Sequence, residues 1–155
     1  MGEIFDLREM IKKSINREKL SAELYRGWIG RFADEATNET LRMLTRDEES
    51  HVKLLELCLA DGKLDRIGKR EPGQKLRNPP KVPEVHTFDE NSTAKEIIAF
   101  AIHHEDRAIH YYARYADIFR DTPLFEFFSR MTREEEGHKE RLESIFLREF
   151  AGRRG

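Results

Sequence analysis

The chain has 155 residues, the size of a single domain, and it is unusually polar, with 38% hydrophobic and 37% charged residues. Its ten Phe, four Tyr and one Trp argue against a disordered chain, because disordered chains are poor in aromatic residues. A net charge of −2 and the lack of an apolar run of ~18 residues argue against nucleic-acid binding and against a membrane-spanning helix.

Apolar residues recur at helical spacing in four long stretches, and glycine and proline are concentrated between them. The third stretch begins with Ser92 or Thr93 as a candidate N-cap, and the fourth begins at Pro123, a residue favoured in a first helical turn. Because the loops within the first pair and within the second pair are short, the pattern predicts two antiparallel helix hairpins. The predicted helices cover about residues 7–33, 39–60, 92–120 and 123–150.

The segment between the two hairpins, residues 61–91, contains four of the five prolines and shows no sustained periodicity. We interpret it as a long crossover within one domain that covers residues 1–155. Extended chain covers ~3.3–3.6 Å per residue, so the crossover is long enough to run back along a pair of parallel helices. The basic first two-thirds of the crossover are interpreted as a solvated loop, with a docking surface for an electron donor as the alternative.

Cysteine content and the start of the chain narrow the class of protein further. Cys58 is the one cysteine, which excludes an intrachain disulfide and a four-cysteine metal site. Any metal must therefore be held by histidine and carboxylate side chains. The acidic first residues differ from the basic and apolar start of a signal peptide, so we expect a cytoplasmic protein.

The second hairpin repeats the first at an offset of 87 residues, with no gap between the two helices of each hairpin. The repeat includes both charged and aromatic positions, so it is more specific than a shared apolar pattern. Two hairpins of common sequence predict a pseudo-twofold four-helix bundle. The matched pairs include Ile15 and Ile102, Glu18 and Glu105, Tyr25 and Tyr112, Phe32 and Phe119, Glu48 and Glu135, and His51 and His138.

Heptad spacing places six of these residues on the inward-facing seams of the helices. A single glutamate interrupts the apolar seam of the first and third helices, and a Glu-x-x-His pair interrupts that of the second and fourth. In an antiparallel hairpin, residues equidistant from the turn lie at the same height. The midpoint between the single glutamate and the Glu-x-x-His pair falls at Asp34 in the first hairpin and at Asp121 in the second, where loops are predicted. The six inward-facing residues are Glu18, Glu48, His51, Glu105, Glu135 and His138.

Four buried carboxylates at one level would strongly destabilise a bundle, because burial of an uncompensated charge costs several kcal/mol. Two divalent cations would neutralise the four glutamates, and two neutral histidines would add ligand nitrogens. Oxygen and nitrogen ligands without thiolates suit iron or manganese, and affinity alone also admits zinc. The alternative, ordinary charged helix faces that happen to contain Glu and His, leaves two matched copies at a fixed offset unexplained.

These motifs resemble those of the ferritin-like superfamily and, within it, those of the rubrerythrin-like di-iron proteins. The resemblance covers all four helices and omits the crossover. It implies an all-α, ferritin-like four-helix bundle that binds two iron ions. The segments that carry it are 18–25, 48–51, 105–112 and 135–138.

The resemblance also implies a role for each ligand. The glutamates of the Glu-x-x-His pairs would bridge the two metals, the single glutamates would be terminal ligands, and each metal would take one histidine. These roles fall on Glu48 and Glu135 as bridging residues, Glu18 and Glu105 as terminal residues, and His51 and His138 as the nitrogen ligands.

Two features depart from full-length rubrerythrins. A rubredoxin-like iron site needs four cysteines, so this chain lacks that domain and its electrons must come from a separate donor. Rubrerythrins also carry an extra glutamate three residues after the glutamate of the third helix, where this chain has Ala108, and Ser21 is the repeat mate of Ala108. The six-ligand set is in this respect more similar to that of bacterioferritin, which leaves ferroxidase chemistry open.

Two tyrosines and three histidines lie close to the predicted ligands in sequence. Tyr25 and Tyr112 are on the same seams as Glu18 and Glu105, two turns away. We interpret them either as hydrogen-bond partners of the ligands or nearby redox groups, or as core residues. The remaining histidines of the third helix lie off its seam and are expected on the surface: His103, His104 and His110.

The favoured functional hypothesis is a di-iron oxidoreductase that reduces H2O2 or O2 with electrons from an external donor such as a rubredoxin-like protein. Protection against oxidants is the expected setting. One alternative is a ferroxidase or iron-handling protein with Fe(II) as its substrate, and another is a non-redox protein that binds zinc or manganese. We expect a homodimer from the resemblance, and no nucleic-acid or membrane partner.

Overall fold

A computed structural model describes residues 7–61, 82, 89, 91–121 and 124–150. Within these residues there are four α-helices and no strand, so the predicted all-α class is confirmed. The first two helices pack together and so do the last two, which is the pairing that a ferritin-like four-helix bundle requires. None of the described helices is long and apolar enough to cross a membrane. The helices are α1 (Leu7–Trp28), α2 (Glu35–Asp61), α3 (Ala94–Ile118) and α4 (Leu124–Glu149).

The chain divides into two compact units, Met1–Gly68 and Lys69–Gly155, and each contains one helix hairpin. The predicted single domain over residues 1–155 stays a prediction. Most of the predicted crossover lies outside the described residues.

In the first hairpin, α1 and α2 run antiparallel. Arg8, near the start of α1, donates a hydrogen bond to the carbonyl oxygen of Leu59 near the end of α2 over 3.3 Å. Further along α1, Arg26 forms an ion pair with Glu49, which lies nearer the start of α2. The order of these contacts confirms the predicted direction of the hairpin.

The turn of the first hairpin differs from the predicted one. The helix α1 ends at Trp28 rather than at residue 33, because Gly30 adopts a positive φ of 85° that interrupts helical geometry. The helix α2 begins at Glu35 rather than at residue 39, because the Asp34 carboxylate accepts hydrogen bonds from the backbone N–H groups of Ala36 (3.3 Å) and Thr37 (3.2 Å). The apolar pattern of the sequence continues through Phe32, and for this reason the first helix was predicted to be too long.

In the second hairpin, α3 and α4 also run antiparallel. Near the start of α3, Lys95 lies 5.9 Å from the ring centre of Phe146, and near its end Phe119 stacks on Phe128 with ring centres 5.9 Å apart. The N-terminus of α3 has a capping box in which Thr93, one of the two predicted caps, pairs with Glu96. Pro123, the predicted first residue of the fourth helix, lies outside the described residues.

The predicted seams form the apolar interior of each hairpin. Most of the seam residues are buried, and the apolar ones of α2 and α4 are fully so. Leu41, Leu44 and Leu55 of α2 and Phe128, Met131 and Leu142 of α4 all have a relative exposure of 0%. The Glu-x-x-His pairs of α2 and α4 therefore lie between fully buried hydrophobic side chains.

Candidate metal centre

The first hairpin brings together three of the predicted ligands, Glu18 of α1 with Glu48 and His51 of α2. Their relative exposures are 1%, 0% and 5%. One ligand atom from each of the three lies within 4.8 Å of those of the other two. The Oε2 atom of Glu18 is 3.7 Å from the Nδ1 atom of His51. We call this group the first half-site.

The second hairpin repeats the arrangement with Glu105 of α3 and with Glu135 and His138 of α4. Their relative exposures are 0%, 1% and 1%, and one ligand atom from each again lies within 4.8 Å of the others. The Nδ1 atom of His138 is 3.8 Å from Glu105 Oε1 and 3.9 Å from Glu135 Oε2. We call this group the second half-site.

Helix geometry explains why each half-site forms. In both α2 and α4 the glutamate and the histidine are three residues apart, so their side chains leave the helix on one face. The glutamate on the facing helix lies at the same height, since it is 3.7 Å from the histidine in the first hairpin and 3.8 Å from it in the second. Each half-site thus follows from the heptad position of its residues and from the pairing of its two helices.

The distances within each half-site suit a metal ion. Donors bound to one first-row metal ion lie ~2.0–2.2 Å from it, which places them about 3–4 Å from each other. The nitrogen-to-oxygen separations of 3.7–3.9 Å fall in this range and exceed those of ordinary hydrogen bonds. Each half-site offers two carboxylates and one imidazole, so the donor chemistry suits a di-iron site.

Electrostatics gives a second reason to expect cations at these positions. Both carboxylate oxygens of Glu48 and both ring nitrogens of His138 are shielded from solvent, each with less than 1 Å² exposed. A buried carboxylate loses its hydration and needs a nearby positive charge to remain ionised. A divalent cation at each half-site would supply that charge without a large rearrangement.

The two predicted tyrosines are completely buried in their hairpins. Tyr25 packs edge-on against Trp28, with ring centres 6.0 Å apart, and Tyr112 contacts Tyr111 at 5.4 Å and Phe128 at 6.4 Å. Both therefore belong to the aromatic interior. Their role as hydrogen-bond partners of the ligands or as redox groups stays a prediction.

One of the three histidines expected on the surface is buried. His104 has a relative exposure of 6% and stacks on Phe100, whereas His103 is partly exposed and His110 is exposed. The prediction for His104 was wrong because α3 buries a second stripe beside the seam of Glu105. That stripe consists of Ile97, Ala101, His104 and Ala108.

A polar cluster outside the predicted ligand motifs lies next to the second half-site, since Asp106 directly follows Glu105 and Lys139 directly follows His138. The Nζ atom of Lys139 is 2.8 Å from the Oδ1 atom of Asp106, and both side chains are about two-thirds buried. Glu143, one turn further along α4, has a relative exposure of 8%. Burial raises the pKa of the Glu143 carboxyl, Lys139 opposes this shift, and Asp106 adds to it. The signal in the sequence was a break in the repeat, since Lys19 is the repeat mate of Asp106.

Comparison with known proteins identifies one family. A sequence model described as Rubrerythrin matches residues 9–146, which include nearly all of the four helices and all six predicted ligands. No curated protein and no solved structure is significantly similar to the chain.

Proposed function

Since the chain belongs to the rubrerythrin family, we propose that its two half-sites together hold a pair of iron ions and that it is a di-iron carboxylate oxidoreductase. The observation that carries the proposal is the repeated, buried cluster of two carboxylates and one imidazole in each hairpin. Four glutamates balance the charge of two divalent cations. Two divalent ions bound by these four glutamates would therefore leave little uncompensated charge.

The proposed reaction is the reduction of H2O2 or O2 with electrons from an external donor. When bound, an iron pair supplies the two electrons that reduce H2O2, together with two protons, to two molecules of water. The glutamates would hold the ions and adapt their binding as the charge of the pair changes. The two histidines would act as neutral nitrogen ligands, His51 for one ion and His138 for the other.

The surrounding side chains would keep the site dry. Leu44 and Leu55 flank Glu48 and His51 along α2, and Met131 and Leu142 flank Glu135 and His138 along α4; all four have a relative exposure of 0%. Apolar neighbours limit the entry of water and strengthen the attraction between carboxylates and cations. Tyr25 and Tyr112 are proposed to lie next to the ligand shell, as hydrogen-bond partners or as redox groups.

Ferroxidase activity is the second candidate, and a specific observation favours it. Ala108 occupies the position where rubrerythrins carry an additional glutamate, and it is buried along with its repeat mate Ser21. Neither side chain offers a carboxylate, so neither adds a ligand to the six predicted ones. Fe(II) would then be the substrate, and Fe(III) would leave the site after oxidation.

The partners follow from the proposed chemistry. The chain has one cysteine and so cannot carry a four-cysteine iron site. We propose that a separate protein of the rubredoxin type supplies the electrons. We also propose a homodimer, on the resemblance of the sequence to ferritin-like proteins.

Stopped-flow oxidation of the anaerobic, Fe(II)-loaded protein tests these proposals. Faster oxidation by H2O2 than by O2 is expected for the proposed oxidoreductase, and repeated turnover with excess Fe(II) and O2 is expected for a ferroxidase. A protein purified with zinc that reacts with neither oxidant would instead be a non-redox metal-binding protein. The double variant Glu48→Ala, Glu135→Ala serves as the control and should react no faster than free Fe(II).

A further inference from the structure

The two half-sites contain the same ligands, but the charges beside them differ. Next to the first half-site, Lys19 pairs with Glu56 across the hairpin at 3.5 Å, and about half of each side chain is exposed. This pair is neutral and well solvated. Its effect on a cation bound by Glu18 and His51 is therefore small.

At the repeat positions of Lys19 and Glu56 the second hairpin has two acids, Asp106 and Glu143. The one cation of this group, Lys139, pairs with Asp106 at 2.8 Å. Two acids and one lysine leave a net charge of −1, where the first hairpin has a neutral pair. The group is also less exposed than the Lys19–Glu56 pair, so water screens its charge less.

A count of all charged residues near the predicted ligands also shows a more negative surrounding for the second half-site. Within four residues of the predicted ligands, the first hairpin carries four cationic and two anionic residues, whereas the second carries four of each. The net charge is thus +2 around the first half-site and zero around the second. The residues of the first set are Arg17, Lys19, Arg46, Lys53, Asp47 and Glu49; those of the second are Arg107, Arg133, Lys139, Arg141, Asp106, Glu134, Glu136 and Glu140.

The one buried acid of the first set does not reverse this difference. Asp47 lies next to Glu48 and has a relative exposure of 5%. Its repeat mate Glu134 is also an acid but is more exposed, so both half-sites have a negative charge at this position and water screens the charge of Asp47 less. The difference in charge arises at two pairs of repeat mates in which a lysine of the first hairpin is replaced by an acid in the second. These pairs are Lys19 and Asp106, and Lys53 and Glu140.

We propose that the second half-site binds its divalent cation first and more tightly, and that Asp106 and Glu143 set this order. The inference rests on the proposed function, since it presupposes two metal positions. The physical cause is the attraction between a cation and the net negative charge of Asp106, Glu143 and Lys139, in place of which the first hairpin has the neutral Lys19–Glu56 pair. In the proposed pair of ions, the charge of the first ion then opposes binding of the second, so the second ion binds more weakly.

Anaerobic titration of the metal-free protein with Co²⁺ tests the order. Visible absorption and calorimetry should resolve two binding steps of unequal affinity. His138→Gln should remove the tighter step, and His51→Gln should remove the weaker one. In the wild-type protein, the contact-shifted ring protons of His138 should appear in NMR spectra with the first equivalent of Co²⁺, before those of His51.

A matched pair of variants tests the role of the surrounding charges. Glu143→Gln should weaken the tighter step by about 3- to 10-fold, the effect of removing one nearby, partly screened negative charge. Glu56→Gln removes the acid at the repeat position, which is exposed and paired with Lys19, and should change either step by less than about 2-fold. Asp106→Asn, like Glu143→Gln, should weaken the tighter binding step.

The outcomes separate this inference from the proposed function. Two equal steps, or first binding at His51, would overturn the inference and leave a two-metal site intact. Equal effects of Glu143→Gln and Glu56→Gln would overturn the role of Glu143. Circular dichroism checks that the wild-type protein is folded. Binding of fewer than two Co²⁺ ions by the folded protein would instead contradict the proposed function itself.

Discussion

The Nδ1 atom of His51 lies 3.7 Å from the Oε2 atom of Glu18, across the first helix hairpin. The repeat mates of these residues, 87 positions later, are 3.8 Å apart in the second hairpin. A contact conserved between the two copies to within 0.1 Å is difficult to attribute to ordinary charged helix faces.

Replacing the two proposed bridging glutamates should abolish two-metal binding. In the variant Glu48→Ala, Glu135→Ala each half-site loses one of its two carboxylates, so each ion would lose both a ligand and half of its compensating charge. We expect fewer than one tightly bound ion per chain, measured by elemental analysis after anaerobic loading and desalting. Glu56→Ala, at an exposed site, is the control and should bind two. Retention of two ions by the double variant would refute the ligand assignment.

Removing the metal should destabilise the protein. A ligand that binds only the folded state adds about 2.7 kcal/mol of stability when its free concentration is 100 times its Kd. Addition of Fe(II) or Mn²⁺ to the metal-free protein under anaerobic conditions should therefore raise its Tm by several degrees, as measured by differential scanning calorimetry. The same addition should have little effect on the variant Glu48→Ala, Glu135→Ala. An equal rise in Tm for both proteins would point to binding elsewhere.

Glu143 should make stability depend on pH in a defined direction. Its folded-state pKa lies above the ordinary value of 4.5 because burial disfavours the charged carboxylate. The folded state thus binds more protons than the unfolded state as the pH rises from about 4.5 to the raised pKa, and its stability falls over that window. The Glu143→Gln variant should lack this component of the decrease. Urea unfolding of the metal-free protein at several pH values measures this decrease in the free energy of unfolding. Glu56→Gln is the control and should retain the decrease.

Two glycines provide a matched test of the first turn. Gly30 has a φ of 85°, so Gly30→Ala should cost ~1–2 kcal/mol, although an added Cβ would meet no atom within 4 Å. Gly27 lies inside α1 and has the same open surroundings. Gly27→Ala should therefore stabilise the protein by ~0.5–1 kcal/mol. Both changes can be measured by chemical unfolding, and a neutral Gly30→Ala would show that the turn tolerates another conformation.

The sequence alone was sufficient to predict the four helices, their pairing and the burial of the six proposed ligands. This was possible because heptad spacing determines which side of a helix faces inward, and because an 87-residue repeat shows that the pattern is not accidental. The Glu-x-x-His spacing and the distance of each glutamate from its turn then specify which residues meet. Glu18 and His51, and Glu105 and His138, were predicted in this way.

Other features depend on tertiary structure. The first turn begins after Trp28, because the φ of Gly30 and the hydrogen bonds of Asp34 override an apolar pattern that continues through Phe32. His104 is buried because α3 packs along a stripe wider than one heptad seam. The exposure of Lys19 and the burial of Glu143 could not be read from the sequence either. Periodicity identifies the inward face, but the strength of a charge depends on how much water surrounds it, and only the packed structure determines that.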